Sequence, residues 1–153
     1  MTVLLATVGV CLVSAWVPVV NAEAYLGVVA TQEPVAWWAL ALAATLGQMI
    51  GKIGFFLLGR QSLSWRWLAR KMAQTKLDRW VDWMTRTADT RPYASWSVLL
   101  ASAAIGIPPF AVISFLAGQV RVSLTAFVVL GSVGRFVRFA GIVLGVESLA
   151  DMV

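Results

Sequence analysis

From Val35 to Leu58 the chain runs 24 residues with one charge, Lys52, and from Leu124 to Val146 it runs 23 with two, Arg135 and Arg138. A bilayer's hydrocarbon core of about 30 Å takes roughly 20 helical residues. Both segments therefore cross it with some tilt. Composition leads the same way: 60% of the 153 residues are apolar and 12% charged, where soluble domains average roughly 45–50% and about 25%. A soluble domain of this length could not hide that much apolar surface, so lipid is the expected solvent. The length suits one domain, residues 1–153.

The net charge of +5 is not spread evenly. Eight of twelve basic residues fall between Arg60 and Arg91: Arg60, Arg66, Arg70, Lys71, Lys76, Arg79, Arg86 and Arg91. A basic cluster beside a span marks the cytoplasmic side and attracts anionic headgroups, so no nucleic acid is expected. With no histidine and one cysteine, Cys11, disulfide frameworks, zinc clusters and Ser-His or Cys-His catalysis are excluded. No metal and no cofactor is expected, and Cys11 reads as a small buried hydrophobe. Residues 1–20 imitate a secretory signal, but they carry no Lys or Arg at their start, which argues against cleavage.

Within residues 1–33 an apolar run breaks at Pro18, Asn21 and Glu23 and then resumes. Neither piece reaches spanning length, so the segment reads as a re-entrant hairpin, with a single kinked span as the alternative. Pro34 suits the first turn of a helix, and residues 35–58 form the first span, with Trp37 and Trp38 at its interfacial end. Gly47, Gly51 and Gly54 give it a smooth face that fits either a second copy or a neighbour within the chain. Residues 59–92 mix Trp65, Leu68, Met72, Trp80 and Trp83 with basic residues. They predict an amphipathic helix on the membrane surface, started by Ser62 or Ser64, with Arg66, Arg70, Lys71 and Arg79 toward the headgroups. A solvated linker is the plainer alternative. Residues 93–118 are broken by Gly106, Pro108 and Pro109 and predict a second re-entrant hairpin. Residues 124–146 form the second span, with Gly141 and Gly145 near its end.

Charge orients this arrangement. With residues 60–92 cytoplasmic, two hairpins and two spans place every loop Lys and Arg inside, Arg121 included, and leave Glu33, Glu147 and Asp151 outside. Each half then has the order broken hairpin, then span, entered from opposite sides. That order predicts an all-α integral membrane fold with an inverted repeat.

Four ionisable residues lie at membrane depth: Glu23, Lys52, Arg135 and Arg138. Each costs roughly 2.5–3.5 kcal/mol at the centre of an isolated helix. They persist by pairing, by snorkelling or by lining a wet cavity. Lys52 is close enough to the cytoplasmic end to snorkel; Arg135 is not. Glu23 follows the first break, where an arginine of the second half would pair with it. The pair reads either as a static link between halves or as a working site in which arginines hold an anionic group.

These residues also carry a family resemblance. Pro18-Val19-Val20-Asn21-Ala22-Glu23, Gly47 through Gly51-Lys52 to Gly59-Arg60, Pro108-Pro109 with Ala117-Gly118, and Gly134-Arg135-Phe136-Val137-Arg138-Phe139 together resemble the DedA superfamily. Its members are also called VTT-domain or SNARE-associated membrane proteins, and the likeness is greatest to the small YqaA-like branch. The resemblance covers nearly the whole chain. It implies two opposed re-entrant hairpins and a role in moving phospholipid or polyprenyl-phosphate carriers across the bilayer, with Glu23 at the family's acidic position and Arg138 at its final-span arginine. The sequence departs from the pattern in three places. Ala22 stands for the usual serine, Lys52 for a second acid common in the family, and Pro109-Phe110 lacks an arginine of larger members.

A translocase of lipids with anionic headgroups is the leading expectation, set in a bacterial inner membrane. Glu23, Arg138, Arg135 and Lys52 form its headgroup site, and self-association would run through Gly47 and Gly51 or Gly141 and Gly145. The alternative is a non-transporting scaffold that binds lipid through the basic Trp-rich segment. No nucleophile–base pair is present, so an enzyme is not expected.

Overall fold

The computed structural model describes residues 1–17, 20–32, 34–61, 86, 92–107, 109–150 and 152. Six helices are built from them: α1 (Thr2–Trp16), α2 (Ala22–Gln32), α3 (Trp37–Gln61), α4 (Pro92–Ile105), α5 (Phe110–Gln119) and α6 (Leu124–Ala150). No strand occurs among the described residues. Only α3 and, from Leu124 to Val146, α6 are long and apolar enough to cross a membrane. The others, at 15, 11, 14 and 10 residues, reach about 15–22 Å at a rise of about 1.5 Å per residue. Of the surface helix expected for residues 59–92, residues 59–61 instead close α3 and Pro92 opens α4, while residues 62–85 and 87–91, with the caps Ser62 and Ser64 and with Arg66, Arg70, Lys71 and Arg79, lie outside the described residues, as do Pro18 and Pro108.

The helix ends follow local chemistry. Asn21 caps α2: its Oδ1 accepts from the N–H groups of Glu23 (3.0 Å) and Ala24 (3.3 Å), satisfying donors that no helical carbonyl reaches. Ser123 does the same for α6, accepting from Ala126 N–H at 3.2 Å. The end of α5 is a Schellman turn, with Val122 N–H donating to Ala117 O and Arg121 N–H to Gly118 O. The left-handed position that glycine usually fills there is held by Arg121, φ 55°. Helix α3 starts later than Pro34 suggested. Its first turn closes on the Ala36 carbonyl, which accepts from Ala39 and Leu40, so Pro34 precedes the helix instead of opening it.

The two long helices pack antiparallel at the centre, Met49 against Gly131 and Phe56 stacked on Phe127. Beside α3 lies α1, running parallel to it: Gly47 meets Val8 and Cys11, Gly51 meets Leu12 and Ala15, Gly54 meets Trp16. Helix α4 runs parallel to α6 in the same manner, Gly134 meeting Leu100 and Ala103. Helices α2 and α5 bring the chain back to the starts of α3 and α6. Each packs mainly on the long helix of the other half, α2 on α6 and α5 on α3.

Two apolar clusters result. One joins Leu26, Leu40, Ala44, Phe139 and Val143; the other joins Met49, Phe56, Leu99, Phe110, Ile113 and Phe127. Leu42, Leu46 and Ile50 on α3, and Val129, Val133 and Val137 on α6, form exposed stripes at four-residue spacing. Such stripes suit lipid and would be a liability in water. Of the glycine faces, Gly47 and Gly51 are closed over by α1, whereas Gly141 and Gly145 have no atom of the described residues within 4 Å of an added Cβ.

Candidate functional site

The ends of the short helices meet near the middle of the molecule, and the embedded charges meet them there. Helix α4 ends at Ile105; Gly106 N–H still closes the last turn on Ser102 O at 2.9 Å, and the φ of +85° at Gly106 then turns the chain out of the helix. That turn leaves later carbonyls without a helical donor. Arg138, from α6, supplies the donors: Nη1 reaches Ala104 O at 3.4 Å and also donates to Ile105 O. A Cβ on residue 106 would sit 2.6 Å from that Nη1. Glycine is required at this point for two reasons, the left-handed backbone and the closeness of the guanidinium.

The rest of the Arg138 guanidinium faces the other half. Nε donates to Glu23 Oε1 at 2.7 Å, and Nη2 forms an ion pair with the same oxygen. Glu23 lies in the first turn of α2, where the helix dipole favours a carboxylate. The pairing of Glu23 with a second-half arginine, expected from sequence, is thus present. The two side chains are 23% and 41% exposed, so the pair is open to whatever surrounds the protein there.

Lys52 plays a matching part at the end of α1. It is 6% exposed, and its Nζ donates to Ala15 O at 2.8 Å and lies 5.1 Å from the Phe55 ring. The ammonium therefore turns inward to a helix C-terminus, as a cation should, instead of snorkelling. One turn earlier, Gln48 donates from Nε2 to Ser14 Oγ at 3.0 Å, and its Oε1 is buried with no partner among the described residues. Sequence reasoning passed over Gln48 and Ser14. The signal was available: Gln48 is an amide inside an apolar span, four residues before Lys52 and so on the same face.

Arg135 differs from both. It is 8% exposed, with its guanidinium over the Phe110 ring at 4.8 Å from the centroid. It makes no hydrogen bond or ion pair among the described residues, and its Nε is fully buried. Lys52 and Arg138 repel it, and Glu23 attracts it. The site therefore gathers three cations and one acid. Of the predicted breaks, Asn21 and Pro109 act as the N-caps of α2 and α5, and Gly106 ends α4. Among the described residues no group of three His, Cys, Asp or Glu side chains could hold a metal, and the donor set of Lys and Arg suits an anion.

Searches of curated proteins and of solved structures return no significant match. The family model described as the VTT domain, by contrast, matches residues 2–148. With nearly its whole length matched and two apolar helices long enough to cross a bilayer, the chain belongs to the VTT-domain (DedA) family of transporter-like membrane proteins.

Proposed function

We propose that the protein translocates phospholipid or polyprenyl-phosphate lipid carriers across the bilayer, acting as a transporter and not as an enzyme. The observation that carries this reading is the Glu23–Arg138 pair. It bridges the start of α2 in one half and the end of α4 in the other, and it is partly exposed. An anionic headgroup arriving at Arg138 competes with Glu23 for the same donors, so binding loosens the contact that joins the halves.

Four observations support re-entrant hairpins in an inverted repeat. The short helices are too short to span; α1 runs parallel to α3; α4 runs parallel to α6; and α3 and α6 are antiparallel. A single kinked span would instead carry α1 and α2 in one direction. In this reading residues 60–92 lie at the cytoplasmic face of a bacterial inner membrane, and Gly141 and Gly145 are the glycine face left for a second copy.

The test is reconstitution of the full chain into liposomes holding labelled phospholipid or polyprenyl phosphate. Transfer should exceed that of empty vesicles, and Glu23→Gln and Arg138→Gln should each reduce it. Folded protein that moves neither lipid sinks the proposal. Lipid binding that survives both substitutions but is lost on neutralising Arg70, Lys71 and Arg79 points to a scaffold.

A further inference from the structure

The beginnings of α2 and α5 are built differently, although both follow a break and both sit on the opposite half's long helix. Helix α2 starts with a side-chain cap, Asn21, and its own carboxylate, Glu23. Helix α5 starts at Phe110 with neither a capping side chain nor an acid in its first turn. The N–H groups of Phe110 and Ala111 have no helical partner, the next being taken by Pro109 O, and the helix dipole turns a positive end toward the same place. Above the Phe110 ring lies Arg135, more than nine-tenths buried and without a hydrogen-bond partner among the described residues. Within electrostatic range is Lys52, also more than nine-tenths buried. The single acid of the cluster, Glu23, is already held through Oε1 by Arg138.

A buried guanidinium whose Nε meets no acceptor among the described residues is not a stable end state. Two buried cations that repel each other need a negative charge between them. Glu23, the acid that attracts Arg135, is already committed to Arg138, and no other described side chain supplies one. We infer that Arg135, over the first residue of α5, and Lys52, within electrostatic range of it beside the end of α1, form a second anion position, deeper than the Glu23–Arg138 pair, that is filled by an oxyanion from outside the chain. The planar fork of Arg135 suits two oxygens of a phosphate, carboxylate or sulfate group, and Lys52 adds a point charge from the other half. An occupant there is held by both halves at once. The inference rests on the transport reading above only for which anion arrives. A phosphate headgroup and free phosphate present the same chemistry.

The experiment uses the full chain purified in detergent and exchanged into anion-poor buffer. Binding and melting temperature are measured with inorganic phosphate, with a short-chain lipid phosphomonoester, and with a short-chain phosphatidylcholine as zwitterionic control. At least one phosphate probe should bind and raise the melting temperature. Arg135→Gln and Lys52→Gln should each weaken that binding about ten- to a hundredfold, while the surface variant Arg60→Gln leaves it in place. Arg135→Met should keep or raise the unliganded melting temperature, because an uncompensated charge is removed, yet lose the anion-induced rise. Binding by the phosphomonoester alone assigns the seat to a headgroup; equal binding of inorganic phosphate assigns it to a free anion.

No anion effect on the native chain overturns the inference, as does unchanged affinity in Arg135→Gln and Lys52→Gln. Liposome transfer separates this outcome from the fate of the transport reading. Absent transfer with Arg135-dependent binding removes the transport reading and leaves the anion seat. Full transfer by folded variants that bind phosphate as the native chain does removes the seat alone.

Discussion

Gly106→Ala probes whether Arg138 is positioned by the end of α4. The substitution acts twice. An L side chain at φ +85° adopts the left-handed region at a cost of about 1–2 kcal/mol. The new methyl would also lie 2.6 Å from Arg138 Nη1. That atom ends a flexible side chain, so it gives way, and it gives up the Ala104 and Ile105 carbonyls to do so. Charge-assisted hydrogen bonds of this kind contribute about 1.5–3 kcal/mol. The expected total is about 2.5–5 kcal/mol, combining the backbone and hydrogen-bond parts. In an Arg138→Ala background there is no guanidinium to displace, and only the backbone part, about 1–2 kcal/mol, remains. Equilibrium unfolding of the four proteins of this cycle in mixed micelles measures the coupling directly. Equal cost of Gly106→Ala in both backgrounds would refute the argument that the glycine exists for the arginine.

Substitutions at four other positions test the same packing. Asn21→Ala removes the cap that holds Glu23 and Ala24 N–H and should lower unfolding free energy by about 1 kcal/mol, whereas Asn21→Asp should leave it nearly unchanged. Gly134→Ala puts a methyl 2.6 Å from the Ala103 Cβ and should destabilise by about 1–3 kcal/mol. By contrast Gly141→Ala, with open space around it, should stabilise by about 0.5–1 kcal/mol through helix propensity; thermal unfolding that ranks them otherwise contradicts the packing described. Arg121→Gly relieves a left-handed arginine and should raise stability by up to about 1 kcal/mol in the same measurement.

Much of this arrangement was legible in the sequence because breaks and charges are local, strong signals. The interruptions around Asn21 and Gly106 mark where α2 starts and α4 ends, and a lone acid among apolar residues had few possible partners, of which Arg138 is the one found. The facing of the helices was harder to read. Helices bathed in lipid are apolar all round, so periodicity says little about which side meets a neighbour. Hence Gly47 and Gly51 fitted a second copy as well as α1, and Lys52 fitted the interface as well as the Ala15 carbonyl. The start of α3 at Trp37, the left-handed Arg121 and the ring of Phe110 under Arg135 depend on tertiary packing or loop geometry. No residue pattern announces them.

The cross-packing of α2 on α6 and α5 on α3 has a consequence for how the chain is made. When residues 1–61 have entered the membrane, α3 has α1 beside Gly47 and Gly51, but its Gly59 face still waits for the Phe115 backbone of α5. The Leu26 and Val29 side of α2 likewise waits for Phe139 and Val143 of α6, the last of the six helices to be made. Neither half can complete its own core, so the two must mature as one cooperative unit, and a ribosome that stops before α6 leaves a chain that quality control can recognise. The clasp also makes complementation possible: two separately expressed halves, cut within residues 62–85, have reason to find each other, because each carries the missing neighbour of the other's long helix.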